Sequence, residues 1–201
     1  MNSRTPVLLV FSAALALTTL ANSVFAGYAK KTSSLGISPV QEDAEKVRTT
    51  LRLADEIRHQ ILMLSYYGVF DWITGNVQQA GAVTLVGYVV RPSTKSDLEN
   101  RVKKLPGVTS LIDKIEELPP SPSDQRIRIA VYRALFRGGS PLFKYATMAV
   151  PSIHIIVKSG HLILEGVVDH RFDYNYANIK ARGVSGVFSV DNKLQIPNTN
   201  R

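Results

Sequence analysis

Cysteine is absent from this 201-residue chain, which excludes disulfides, thiol nucleophiles and thiolate zinc sites. Metal or acid–base chemistry would fall to four histidines and sixteen acidic residues. His154 and His161 form the one pair close enough to share a site. If Ser159-Gly160 is a two-residue turn, Lys158 pairs with His161 and His154 with Glu165. All four side chains then share the face opposite Ile155, Leu162 and Leu164. A ligand set needs three or four converging donors, and a lysine beside the imidazoles repels a cation. The spacing therefore predicts a solvated sheet face and no metal. His59 and His170 stand alone. No serine has a nucleophile-elbow context, and no carboxylate pair is marked by spacing. Gly138-Gly139-Ser140 lacks the lysine of a phosphate loop and reads as a helix stop. The expectation is a protein that is not an enzyme and holds no cofactor.

Surface chemistry is better represented. On a helix over 124–137, Ile127, Val131 and Ala134 would face a core. Ile129, Tyr132 and Phe136 would line roughly the opposite side, flanked by Arg126, Arg133, Arg137 and Arg128. Apolar and aromatic groups between arginines suit a membrane interface, with rings at headgroup level and cations at phosphate. The competing reading has the stripe packing against another part of the chain, either a neighbouring unit or the segment 140–151. A second aromatic cluster, Tyr66, Tyr67, Phe70 and Trp72, reads as a core edge beneath the loop 74–80, with Tyr67 and Trp72 protruding.

The elements that must carry these residues are revealed by a repeat. Positions 81–114 recur at 160–193 with a constant shift of 79. Gly81, Gly87 and Gly107 fall on Gly160, Gly166 and Gly186, and Leu85 and Val89 on Leu164 and Val168. The periodicities predict, in the first copy, a helix over 47–64 whose Ala54, Ile57, Ile61 and Leu64 face inward. A short β-prone stretch follows over 69–73, then a strand over 82–90, a helix capped by Ser93 or Ser96, and a strand over 108–117. Pro119, Pro120 and Pro122 stiffen the linker. The second copy repeats the order, with an irregular insert over 140–151. The expected fold is α+β: two αββαβ units, each a three-stranded sheet covered by two helices. Glycine inside a strand weakens pairing, so Gly87 and Gly166 are expected to make room for a crossing helix.

The expected domains are a signal peptide over 1–26, a leader over 27–46, a first unit over 47–118, a linker over 119–123 and a second unit over 124–197. Arg4, the apolar run Val7 to Leu20 and Val24-Phe25-Ala26 have the form of a secretory signal cleaved after Ala26. Its apolar core falls short of the roughly 20 residues of a spanning helix. Without a lipobox cysteine the protein is not a lipoprotein, and the expected location is periplasmic or otherwise exported. Loss of Arg4 with the signal leaves 23 cations against 16 acids. In an exported protein such charge points to anionic lipid, cell-wall polymers or acidic proteins rather than nucleic acid, or serves solubility alone.

The pattern Gly81-Ala-Val-Thr-Leu-Val-Gly-Tyr-Val, then Gly107-Val108 and Asp113-Lys-Ile, resembles the BON domain (bacterial OsmY and nodulation). Gly160-His-Leu-Ile-Leu-Glu-Gly-Val-Val, Gly186-Val187 and Asn192-Lys-Leu repeat it. The resemblance implies the αββαβ fold, an envelope location and no catalytic centre. It also implies association with phospholipid membranes or envelope proteins, some relatives acting as periplasmic chaperones or stress proteins. The function expected is association with anionic phospholipid surfaces through the second unit. The alternative is a soluble periplasmic chaperone or osmotic and envelope-stress protein that binds unfolded clients.

Overall fold

The computed structural model describes residues 39–148 and 150–197. The expected signal peptide and residues 27–38 of the expected leader lie outside the described residues. Helix α1, Pro39–Leu62, begins inside the segment expected as leader. Proline is preset for the first helical position, and Leu53, Ile57, Ile61 and the following Leu64 give the helix its buried face. Leu53, rather than Ala54, opens that face.

Strand β1, Trp72–Val77, starts three residues later than the β-prone stretch and runs through the segment expected as loop. Ile73, Gly75 and Val77 point inward while Thr74 and Asn76 are half-buried outside. The polar residues that suggested a loop are the outward positions of a strand covered on one face. β2, Ala82–Val89, pairs antiparallel with β1 and parallel with β3, Ser110–Glu117. Between them lies α2, Pro92–Val102, which starts on Pro92 with no side-chain cap, so neither Ser93 nor Ser96 caps it.

The second half repeats this order. α3, Pro122–Phe136, is capped by the Ser121 hydroxyl, which accepts from the Asp124 N–H at 3.2 Å. β4, Ile153–Lys158, and β5, His161–Val167, pair antiparallel; β6, Ser189–Gln195, pairs parallel with β5 after α5, Arg171–Arg182. The insert contains a short helix, α4, Phe143–Ala146, and sends Leu142 and Tyr145 into the core. These make up volume where the inward side of α5 carries only Ala177 and Ala181. The chain is therefore a mixed α+β protein with two three-stranded sheets, ordered β1-β2-β3 and β4-β5-β6.

The 79-residue shift carries Gly87↔Ile115 onto Gly166↔Leu194. The first strand of each sheet is displaced by one more: Gly87 pairs with Ile73, and Gly166 with Ile153. The first hairpin has an extra residue, accommodated by a tight turn over Gln79–Gly81. The second turns on Ser159 and Gly160 alone, both at positive φ (51° and 77°), the requirement of a type I′ hairpin.

The strand glycines have a different cause from the one expected. Gly87 and Gly166 have φ of +148° and +123°, and a Cβ there would lie 2.0 Å from the Trp72 carbonyl oxygen and 2.1 Å from that of Ser152. The obstacle is the neighbouring strand's backbone, not a crossing helix.

Candidate functional site

Two surfaces collect the chemistry of this chain. The first is the junction between the halves. The segment Tyr66 to Asp71 leaves α1 and lies against the second sheet. The Val69 carbonyl accepts from the Ile155 N–H at 2.7 Å, and Val69 and Phe70 pack on the second core. Asp71 shapes the segment, its carboxylate accepting from the Val90 N–H at 2.7 Å and the Gly68 N–H at 3.1 Å. Arg128 works beside it, donating to the Val157 carbonyl at 2.8 Å. Val69 and Arg128 together cover the outer edge of β4, where open backbone groups would otherwise invite pairing. Burial pushes the Asp71 carboxyl up; its two N–H partners and nearby Arg128 oppose that rise.

This junction corrects one expectation. The pairs His154↔Glu165 and Lys158↔His161 occur as the turn spacing requires. Their face is solvated only at its turn end, where Lys158 and His161 are exposed; His154 is only 2% exposed and Glu165 is buried. The Tyr67 ring lies 5.6 Å from the imidazole, whose Nδ1 is 3.3 Å from the Gly68 carbonyl. Burial drives the His154 pKa down to about 4, against hydrogen bonds with the backbone around it. Burial likewise raises Glu165, opposed by Lys193. Lys158 pairs with Glu116 of the first sheet, so the outward faces of the two sheets meet. Of the aromatic cluster, Tyr67 packs on the first core as expected and also meets His154, Phe70 packs on the second core, and Tyr66 is exposed; Tyr67 and Phe70 form the bridge between the units. The Tyr67 hydroxyl does not protrude but accepts from the Ile73 N–H at 3.4 Å.

The same bridge consumes much of the stripe on α3. Phe136 is 6% exposed and joins the second core. Tyr132 lies between Phe136 and Phe70, with ring centroids 5.0 and 6.3 Å away. Ile129 remains exposed. The stripe meets the other half of the chain through Tyr132, and Phe136 is withdrawn from any external surface. The arginines divide. Arg128 is buried, whereas Arg126, Arg133 and Arg137 are exposed.

The second surface is the outer side of the α3–α5 layer, away from the junction. Phe172, Tyr176 and Ile179 recur at helical spacing on α5, with Phe172 and Ile179 62% and 68% exposed. Phe188, on the loop before β6, is 80% exposed. Arg126 and Arg182 share grooves with Phe188, and Arg133, Arg137 and Lys180 share one with Ile179. Among the described residues none of these five forms an ion pair with a carboxylate. The sequence reading followed only the inward side of α5 and so missed Phe172, Ile179 and Phe188; the spacing 172, 176, 179 was the available signal.

Buried polar groups hold this unit rigid. The Asp124 carboxylate accepts from the Ser159 and Gly160 N–H groups, both at 2.9 Å, pinning the hairpin. Tyr145 donates to Asp173 at 2.6 Å and accepts from the Asp169 N–H at 2.8 Å, while Lys144 pairs with both carboxylates. This network latches the insert onto α5. Near each hairpin lies a groove: about 830 Å³ in the first unit, walled by Leu53, Val77 and Leu105, and about 570 Å³ in the second, beside Ile127 and Phe188. The repeated glycines Gly81 and Gly107, then Gly160 and Gly186, border the two grooves. Among the described residues no group of three His, Asp or Glu could hold a metal, and no helix is long and apolar enough to cross a membrane.

Comparison with known proteins places the second half. No curated protein matches the chain. Among solved structures, the C-terminal domain of CdsD, a structural protein of the type III secretion system of Chlamydia trachomatis, is 13% identical. That match covers 72% of this chain and 97% of that one, with a TM-score of 0.29. A second CdsD structure, also from Chlamydia trachomatis, is 16% identical over 72% of this chain and 65% of the other, with a TM-score of 0.28. The family model of the BON domain matches residues 123–198, the segment running from α3 through β6. The second unit of the chain is thus a BON domain.

Proposed function

We propose that this protein is a non-catalytic component of the cell envelope that binds the anionic surface of a membrane through the helix layer of its second unit. The supporting observation is the company kept by Phe172, Ile179 and Phe188: large apolar groups in solvent on a layer whose Arg126, Arg133, Arg137, Lys180 and Arg182 have no carboxylate partner among the described residues. Apolar burial and attraction to anionic headgroups add at such an interface. Charge distribution favours the same unit. Residues 39–118 carry ten Lys and Arg against eleven Asp and Glu, whereas residues 119–197 carry ten against five. In this reading the first unit is a divergent BON copy that packs on the sheet side and leaves the helix layer free. Export through the signal at 1–26 belongs to the same proposal.

The groove of about 830 Å³ beside α1, with apolar walls and exposed Leu51 and Val47 on the same helix, supports a second reading, capture of unfolded clients. Co-sedimentation separates the two. The membrane reading expects salt-sensitive binding to vesicles containing phosphatidylglycerol and none to neutral vesicles. Suppression of client aggregation by protein that ignores both vesicles would establish the other.

A further inference from the structure

His154 stands on the outward face of the second sheet, yet the first unit seals it. The Tyr67 ring lies 5.6 Å from the imidazole, Nδ1 is 3.3 Å from the Gly68 carbonyl, and the Asp71 backbone is a further hydrogen-bonding neighbour. All three belong to the segment that follows α1, whose Val69 carbonyl also accepts from the Ile155 N–H on β4. Among the described residues no carboxylate forms an ion pair with the ring. The first unit has no such group. Gly87 pairs with Ile73 as Gly166 pairs with Ile153, which sets the uncharged Thr74 where the second unit has His154. Residues 118–121, with Pro119 and Pro120, are the covalent link from β3 to α3.

We infer that His154 is an acid-sensitive latch: its protonation lifts the segment 66–71 from β4, and the two units part about the Pro119-Pro120 link while each stays folded. The latch is independent of the membrane reading. A charged imidazole in the sealed site finds only backbone partners, whereas water solvates it once the segment lifts. Burial accordingly drives its pKa down to about 4. The open form therefore binds the proton first. Opening is favoured as pH falls below the ordinary 6.5, and the gain saturates below about 4, where the closed form titrates too. The groups around the ring pull both ways. Asp71 on the crossing segment and Glu165 on β5 have carboxyls raised by burial; they hold protons more readily in the closed form and resist opening. Arg128 on α3 stays cationic and adds repulsion to a charged imidazole. Lys193 on β6 pairs with Glu165 and Asp191, and Lys158 pairs with Glu116 at the exposed margin, where an ion pair holds little. Burial keeps the Tyr67 hydroxyl protonated, and Arg91 lies over the Tyr66 ring. Opening releases the Ile155 N–H and leaves β4 as an uncovered edge, which invites a strand pairing that the neutral form prevents.

The test is amide hydrogen exchange of the full chain by NMR between about pH 7 and 4.5, corrected for the intrinsic effect of pH, with the His154 ring titrated alongside. In the wild type the ring should titrate below about pH 5, and the Ile155 amide should lose protection as pH falls while the amides of β5 keep theirs. His154→Gln and His154→Phe both remove the titrating group, one keeping a polar side chain and the other a ring, and the carboxyls common to all three proteins cancel. Opening of the wild type relative to either variant should rise about fiftyfold over this range. Glu116→Gln, which removes the ion pair at the margin, should raise opening at neutral pH and keep the acid response. Wild-type Ile155 protection that holds throughout, a ring that titrates at its ordinary value, or an equal acid response in the histidine variants overturns the latch. Loss of β5 protection together with that of Ile155 also overturns it, since acid would then unfold the second unit rather than open the junction.

Discussion

The same position in the topology does opposite things in the two halves. Between α3 and β4, the second unit folds its connection back on itself: Leu142 and Tyr145 enter its own core, and Lys144 and Tyr145 latch to Asp169 and Asp173. Between α1 and β1, the first unit sends its connection outward, so that Val69 and Phe70 pack on the neighbour's core. One half completes itself and then borrows more; the other lends. The consequence is directional. The second unit has its sheet face and the β4 edge covered by the first, and its helix layer is left as the open, basic side. A duplicated small domain can thus divide labour without any change in strand order, because the loops decide which face is spent on the partner.

The largest effect expected concerns what the halves share. Gly87 and Gly166 occupy the same strand position against the same kind of obstacle, a carbonyl of the adjacent strand. Valine at either site combines overpacking, about 1–3 kcal/mol, with backbone strain of about 1–3 kcal/mol. Both substitutions should lower the melting temperature strongly and to a similar degree. A variant that melts like the wild type would show that the two strands tolerate a side chain there and would dissolve the structural equivalence.

His154 sharpens the contrast, since only the second unit has a histidine sealed by its neighbour. A base whose folded pKa is depressed contributes stability that is present above the ordinary value of 6.5 and is lost as pH falls towards about 4. The full linkage is about 3 kcal/mol. Glu165 and Asp71, whose pKa values are raised by burial, act in the opposite sense and gain as pH falls. The isolating comparison is therefore wild type against His154→Phe. Between pH 6.5 and 4 the wild type should lose stability relative to the variant. Parallel pH curves would mean that the imidazole is hydrated and the junction open.

Asp124 and Thr50 test divergence at one aligned position. The Asp124 carboxylate holds two N–H groups of the hairpin turn, whereas the Thr50 hydroxyl donates back to Lys46 on its own helix. Charged hydrogen bonds are worth about 1.5–3 kcal/mol each, and an exposed helix hydroxyl adds little. Denaturant unfolding should show Asp124→Ala destabilised by at least about 1.5 kcal/mol and Thr50→Ala by less than about 0.5 kcal/mol. Equal losses would mean that the first hairpin also depends on its helix.

How far the sequence could be read follows the same boundary between local and borrowed structure. The repeated element order, the His154↔Glu165 pairing and the hairpin at Ser159-Gly160 were legible, because alternation and turn chemistry act within one unit. β1 was misplaced because the extra residue at Gln79–Gly81 breaks the constant shift and its outward Thr74 and Asn76 look like a loop. The start of α1 was missed although Ser38-Pro39 is a recognisable helix entry. The burial of His154 was not legible, and periodicity alone did not decide between a free stripe and the packed one in which Tyr132 meets Phe70, for a deeper reason. Periodicity shows which residues share a face, but the cover came from residues about 60 to 90 positions away in the other half.

The smallest effect is the most direct measure of how firmly the halves are joined. Phe70 reaches Tyr132 edge-on at 6.3 Å, and Tyr132 in turn meets Phe136 at 5.0 Å. Phe136 is held by its own core, so the Phe70–Tyr132 contact joins the units here, beside the separate Tyr67–His154 ring contact. Such pairs carry about 0.5–1.5 kcal/mol beyond area burial, and the partial exposure of Tyr132 places this one at the lower end. Phe70→Leu and Tyr132→Leu, alone and together, form a double-mutant cycle on the unfolding free energy. A coupling of about 0.5 kcal/mol is expected, with vesicle binding unaltered because the tie lies away from Phe172, Ile179 and Phe188. Strict additivity would mean that the rings are merely adjacent. A drop in vesicle binding would mean that the bridge sets the posture of the helix layer, which would make the first unit a regulator of the second rather than only its support.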